Sequence, residues 1–73
     1  MTQKNKILIA RVGKRIRLHR RLQIMSQRDL SLKSGVRHTY ISDIELGTRP
    51  NVSISTIKKL CDALLISVDS ILY

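Results

Sequence analysis

Gln27-Arg28-Asp29-Leu30-Ser31-Leu32-Lys33-Ser34-Gly35-Val36-Arg37-His38-Thr39-Tyr40-Ile41-Ser42-Asp43-Ile44-Glu45-Leu46 is the stretch that decides the fold. Ser26, just before it, is a good N-cap, and Asp29 at the third helical position suits the positive end of a helix dipole. A helix is expected from Gln27 to Ser34, with Leu30 inward and the small Ser31 on the same face. Gly35 then follows as a left-handed residue that stops the helix without a Cβ clash. A second helix resumes near Arg37, places Ile41 and Ile44 at inward spacing, and ends at Gly47. Ser31 is small where the helices cross, Gly35 reverses the chain, and Val36 fills the corner. Ile41 and Ile44 anchor the second helix and leave its opposite face free for a groove. That is the spacing of a helix-turn-helix.

Helical periodicity continues on both sides. Ile9, Val12, Ile16 and His19 or Arg20 recur every three to four residues, which predicts a first helix over roughly residues 6–22. Residues 1–6 then form a flexible basic arm with Lys4 and Lys6, and residues 7–73 form one domain. Thr48-Arg49-Pro50-Asn51 is a loop by composition. Ser53 can cap a fourth helix whose apolar stripe is Ile54, Ile57, Leu60, Cys61 and Leu64, and Ser67 a short fifth with Val68, Ile71 and Leu72. The fold class expected is all-α, a compact domain of five orthogonal helices with the helix-turn-helix in helices 2 and 3.

Seventy-three residues allow one small core, and a chain this short gains from association. Cys61 is the only cysteine, and with His19 and His38 far apart it matches no zinc spacing, so no metal or other cofactor is expected. The net charge of +9 points to a polyanionic partner, and the cations from Lys4 to Arg28 all precede Asp29, the first acid. No targeting signal is visible, and the apolar runs are too short to span a bilayer, so a soluble, cytoplasmic protein is expected. No paired carboxylate, phosphate-cradling glycine loop or nucleophile–base pair is present, and no enzyme or small-molecule ligand is expected.

The sequence resembles the lambda-repressor/Cro-like (XRE-type) helix-turn-helix family well beyond the motif itself. Val12-Gly-Lys-Arg-Ile-Arg17 looks like that family's first helix and Met25-Ser-Gln27 like the start of its second. Gly47-Thr-Arg-Pro-Asn51 looks like its loop after the third, and Ser53-Ile-Ser-Thr-Ile-Lys-Lys-Leu60 like its fourth. Thr39-Tyr-Ile-Ser-Asp-Ile-Glu45 is similar to the controller proteins of restriction–modification systems. The resemblance implies a transcriptional regulator that binds a pseudo-palindromic double-stranded DNA operator as a homodimer, with half-sites about one helical turn apart. It also implies a structural pair between Arg20 and Glu45. Three positions depart from the pattern. Ile24 and Leu65 stand where such families usually carry glycine, and His19 where they carry a core leucine. A β-branched residue in a left-handed cap is costly, so Ile24 is expected to avoid that conformation. His19 is expected to be a partly buried, neutral packing residue.

In this geometry the start of helix 3, residues 37–45, enters the major groove. Arg37, His38, Thr39, Tyr40 and Asp43 are the candidate base contacts, Asp43 by accepting from a cytosine amino group. Gln27, Arg28, Ser42, Arg49 and Asn51 are the candidate phosphate contacts, Gln27 because free N–H groups at a helix start favour an anion. Leu65, Ile66, Val68, Leu72 and Tyr73 are apolar residues left over once one core is filled, and form the candidate dimer interface. If the protein activates transcription, RNA polymerase is a further partner and Asp29 a candidate contact. A phage- or plasmid-type repressor or an antitoxin would carry the same domain. A cationic membrane-binding helix at 6–22 would leave residues 26–72 unexplained.

Overall fold

The computed structural model describes the backbone of residues 3–49 and 51–72, and side chains from Ala10 onward within those bounds. Five helices follow one another: α1 (Gln3–Leu22), α2 (Gln27–Ser34), α3 (His38–Leu46), α4 (Ile54–Leu64) and α5 (Val68–Leu72). Among the described residues there is no strand. The all-α, lambda-repressor-like class is the one observed. α1 lies against α3, α4 and α5, while α2 packs on α3 and α4.

The caps explain most of the boundaries. Ser26 accepts a hydrogen bond from the Asp29 N–H at 2.9 Å, and the Asp29 carboxylate accepts from the Ser26 N–H at 3.0 Å. This reciprocal box starts α2. Hydrogen bonding from the Ser26 backbone N–H, and then from the Ser26 side chain, also holds the Asp29 carboxyl below its ordinary pKa. Ser53 accepts from Thr56 N–H at 3.1 Å and Ser67 from Ser70 N–H at 3.3 Å, so both serines act at the ends expected of them. Gly35 ends α2 at φ 76°, its N–H donating to Ser31 O at 2.9 Å.

Val12, Ile16, Met25, Leu30, Val36, Ile41, Ile44, Ile57, Leu60, Cys61, Leu64 and Ile71 make a single buried cluster. Leu30, Val36, Ile41 and Ile44 therefore do what their spacing requires. Ile54 does not: it is 63% exposed. As the first residue of α4 it stands a turn short of where that helix meets its neighbours. His19 is half-buried, as expected of a packing residue.

Two helix boundaries correct the sequence reading. α1 starts at Gln3 rather than near residue 6, and Gln3–Lys6, assigned above to an arm, continue its backbone; no proline or glycine interrupts them. Ile24, expected to avoid the left-handed region, adopts φ 54°, and Leu65 adopts φ 59°. Such a conformation costs about 1–2 kcal/mol for a residue with a Cβ. The ties that outweigh it are visible. Ile24 N–H donates to Arg21 O at 2.9 Å and Met25 N–H to Arg20 O at 3.1 Å, which closes the end of α1. The Arg20 guanidinium donates in turn to Met25 O at 2.7 Å. This tight reversal delivers Met25 into the core, 6% exposed, and leaves the Ile24 side chain 93% exposed. At the end of α4, Leu65 N–H donates to Asp62 O and Ile66 N–H to Cys61 O in the same pattern. Gln23 Nε2 donates to Leu64 O at 2.7 Å and joins these two helix ends.

Candidate nucleic-acid interface

The turn at residues 35–37 is built by two side chains as well as by glycine. Ser31 Oγ donates to Val36 O at 2.6 Å, and Val36 N–H donates to Ser34 Oγ at 3.1 Å. A small hydroxyl is thus required at residue 31 for a bond across the corner, in addition to the space it leaves.

Behind α3 lies a polar anchor. Arg20 Nε and Nη2 donate to the two Glu45 carboxylate oxygens at 2.7 and 2.9 Å, both residues being buried. The resemblance implied this pair, and it is present in bidentate form. Hydrogen bonding to Glu45 raises the Arg20 pKa, against a smaller opposing effect of burial, so the charge is permanent. Part of the positive charge counted in the sequence is therefore consumed inside the fold. Gln27 Nε2 also donates to Glu45 Oε1, at 3.2 Å, which ties the start of α2 to the same carboxylate. One N–H and the carbonyl oxygen of the Gln27 amide stay outside that bond.

Gly13 brings α1 and α3 together. A Cβ added there would overlap the Ile44 carbonyl oxygen and stand 3.2 Å from Glu45 Cα. The two backbones thus touch, a contact that sequence reading missed. Nothing local marks it, because a glycine inside a helix has the same spacing whatever it faces.

With Ile41, Ile44 and Glu45 buried, the opposite face of α3 turns outward. Arg37, His38 and Thr39 are exposed, and Tyr40, Ser42 and Asp43 are half-buried. Arg37 is the N-cap residue of α3, and no side chain caps that helix. Arg28 and Asn51 are exposed, and Arg49 is half-buried. The Arg49 guanidinium lies 3.8 Å from the centroid of the Tyr40 ring, a cation–π contact. Its Nε is shielded from solvent, makes no hydrogen bond, and faces Asp43 Oδ2 at 3.8 Å. Thr48 N–H and Oγ both donate to Asp43 O, at 3.0 and 3.3 Å, and fix the loop that carries Arg49. Candidate base contacts Tyr40 and Asp43 and candidate phosphate contact Arg49 thus form one unit. Arg37, Thr39, Tyr40 and Arg49 also line a pocket of about 340 Å³, together with Thr56 and Lys59 of α4, which sequence reading did not single out.

Of the expected dimer residues, Leu65 is 88% exposed, while Ile66, Val68 and Leu72 pack partly against the core. Tyr73 lies outside the described residues, as do the side chains of Lys4 and Lys6. No helix among the described residues is long and apolar enough to cross a membrane.

This geometry agrees with the comparisons. Residues 16–71, more than half of the chain, match the helix-turn-helix family HTH_3. The chain belongs to the lambda-repressor/Cro-like helix-turn-helix family. It is 42% identical over 64 residues to Control protein C.BamHI of Bacillus amyloliquefaciens, covering 88% of this chain and 75% of that protein. No solved structure matches. The protein is thus a DNA-binding regulator of this family, similar to a control protein.

Proposed function

We propose that the chain is a sequence-specific transcriptional regulator that binds a pseudo-palindromic operator as a homodimer and serves as a restriction–modification controller protein. One observation carries the reading. Arg37, His38 and Thr39 stand exposed on the first turn of a helix whose other face is locked by Ile41, Ile44 and the Arg20–Glu45 pair. A rigid helix with a polar leading turn suits major-groove readout, because base discrimination requires donors held in place before binding. In this reading Arg37, His38, Thr39 and Tyr40 reach base edges. Asp43 holds Arg49 and offers its other oxygen to a cytosine amino group. Gln27, Arg28, Ser42, Arg49 and Asn51 fix the register on phosphates.

The test begins with duplexes selected from random DNA by the wild-type chain. Thr39→Ala and His38→Ala should relax the selected sequence, at about 1–3 kcal/mol per lost base contact. Arg49→Ala should weaken all duplexes alike and reduce the salt slope by about 1. Equal behaviour of the two classes in competition would sink the division of roles. A neighbouring endonuclease and methyltransferase gene pair, with the selected site in their promoter, is expected for the controller role.

A further inference from the structure

Lys59 and Thr56 stand in the middle and first turns of α4, well outside the helix-turn-helix in sequence. The fold brings them to the same pocket as Arg37, Thr39 and Arg49. Three cations therefore converge on about 340 Å³ of space, with the three hydroxyl groups of Thr39, Tyr40 and Thr56 between them and no acid in the lining. Asp43 offsets only Arg49, from 3.8 Å. Like charges gathered in a concave site repel one another unless an anion joins them. A second feature points the same way. α2 and α4 begin under serine caps, whereas α3 begins without a side-chain cap, so its first-turn N–H groups are open to an acceptor.

We infer that this pocket is a phosphate seat, and that it receives one backbone phosphate of the operator between Arg49 and Lys59, with Lys59 as the contributing residue from α4, while Arg37 and Thr39 at its α3 edge stay directed to bases. The inference rests on the reading of α3 as the helix that enters the groove. It extends the interface past the motif. A phosphate held between the α3 start and α4 would brace the reading helix against α4. Tyr40 contributes by fixing the Arg49 guanidinium over its ring, so that little rotamer freedom is lost when the anion arrives. Gly35 borders the pocket and leaves it open, since a Cβ there would meet nothing within 4 Å.

Lys59→Ala is the direct variant, because Lys59 is exposed and holds no part of the core. Its affinity for the selected duplex should fall roughly threefold to tenfold, the worth of one ionic contact, and its salt slope should drop by about 1. Duplexes carrying a single neutral methylphosphonate, moved along each strand, then locate the phosphate. At one position the substitution should weaken the wild type but leave Lys59→Ala unchanged. Losses that add at every position, or a Lys59→Ala curve equal to wild type, would overturn the inference while leaving groove binding intact. A wild-type chain that selects no duplex would overturn both. Titration of the labelled protein with inorganic phosphate separates the remaining source. Saturating shifts at Thr39 and Thr56, with operator binding indifferent to Lys59, would assign the seat to a free phosphate ligand and overturn the DNA assignment.

Discussion

Gly13 and Gly35 are both glycines near the reading helix, and opposite physical reasons demand them. At Gly35 the backbone is left-handed and the space around it is empty, so alanine would cost only the strain, about 1–2 kcal/mol. At Gly13 the backbone is ordinary helix, where alanine normally stabilises by about 1 kcal/mol. There the added methyl would meet the Ile44 carbonyl, and a backbone atom cannot rotate aside as a side chain can. Overpacking then costs about 1–3 kcal/mol or more and reverses the helical preference. Gly13→Ala is expected to lower the urea midpoint and also to weaken DNA binding, because α3 must shift to admit the methyl. Gly35→Ala should lower the midpoint without displacing α3, because the added methyl meets no neighbour. A Gly13→Ala protein as stable as wild type would show that α1 and α3 do not touch as closely as described. The pair also marks where sequence ceases to be legible. Gly35 announces itself through its neighbours, while Gly13 depends on a contact with a segment thirty residues distant that nothing local encodes.

The starts of α2, α4 and α5 were legible because caps are local: Ser26, Ser53 and Ser67 each accept from a residue three positions on. Helix ends were less so. Ile24 was expected to avoid φ > 0 on its own propensity, yet the chain must turn at once to bury Met25 and to let Arg20 reach both Glu45 and Met25 O. Burying a methionine side chain is worth about 1.5–3 kcal/mol, enough to outweigh the strain of one left-handed residue. Since the Ile24 side chain is 93% exposed, glycine there would relieve strain and lose almost no burial. Against that gain stands the extra freedom of glycine in the unfolded chain, about 0.4–1 kcal/mol. Ile24→Gly should therefore raise stability by roughly 0.5–1 kcal/mol, a shift of a few degrees in the thermal midpoint for a domain of this size. A midpoint that falls instead would mean that the exposed isoleucine makes contacts worth more than its strain.

At the scale of the whole molecule, the outward face of α3 was legible and what packs beside it was not. Residues 37–43 were identified from the motif, but Lys59 joins them only because α4 crosses behind α2, and the Arg49–Tyr40–Asp43 unit only because the loop after Gly47 folds back on α3. The same global view bears on association. A domain of 73 residues buries a small share of its surface, and Leu65 spends strain at φ 59° to hold an apolar side chain 88% exposed. Beside it in sequence, Ile66, Val68 and Leu72 are only partly covered. A second copy meeting this end would cover all four and set two α3 helices on one face of DNA, which two-fold symmetry allows for a palindromic site. Leu65→Asp is the discriminating variant, since aspartate tolerates the left-handed region better than leucine and the monomer core does not use residue 65. The wild type is expected to sediment as a dimer and to show a thermal midpoint that rises with protein concentration. The variant should sediment as a folded monomer, lose that concentration dependence, and bind half-sites without cooperativity. A wild-type protein that stays monomeric at roughly tens of micromolar, the upper end of useful dimer affinities, and fills its half-sites independently, would remove the dimer and leave α3 to read each half-site alone.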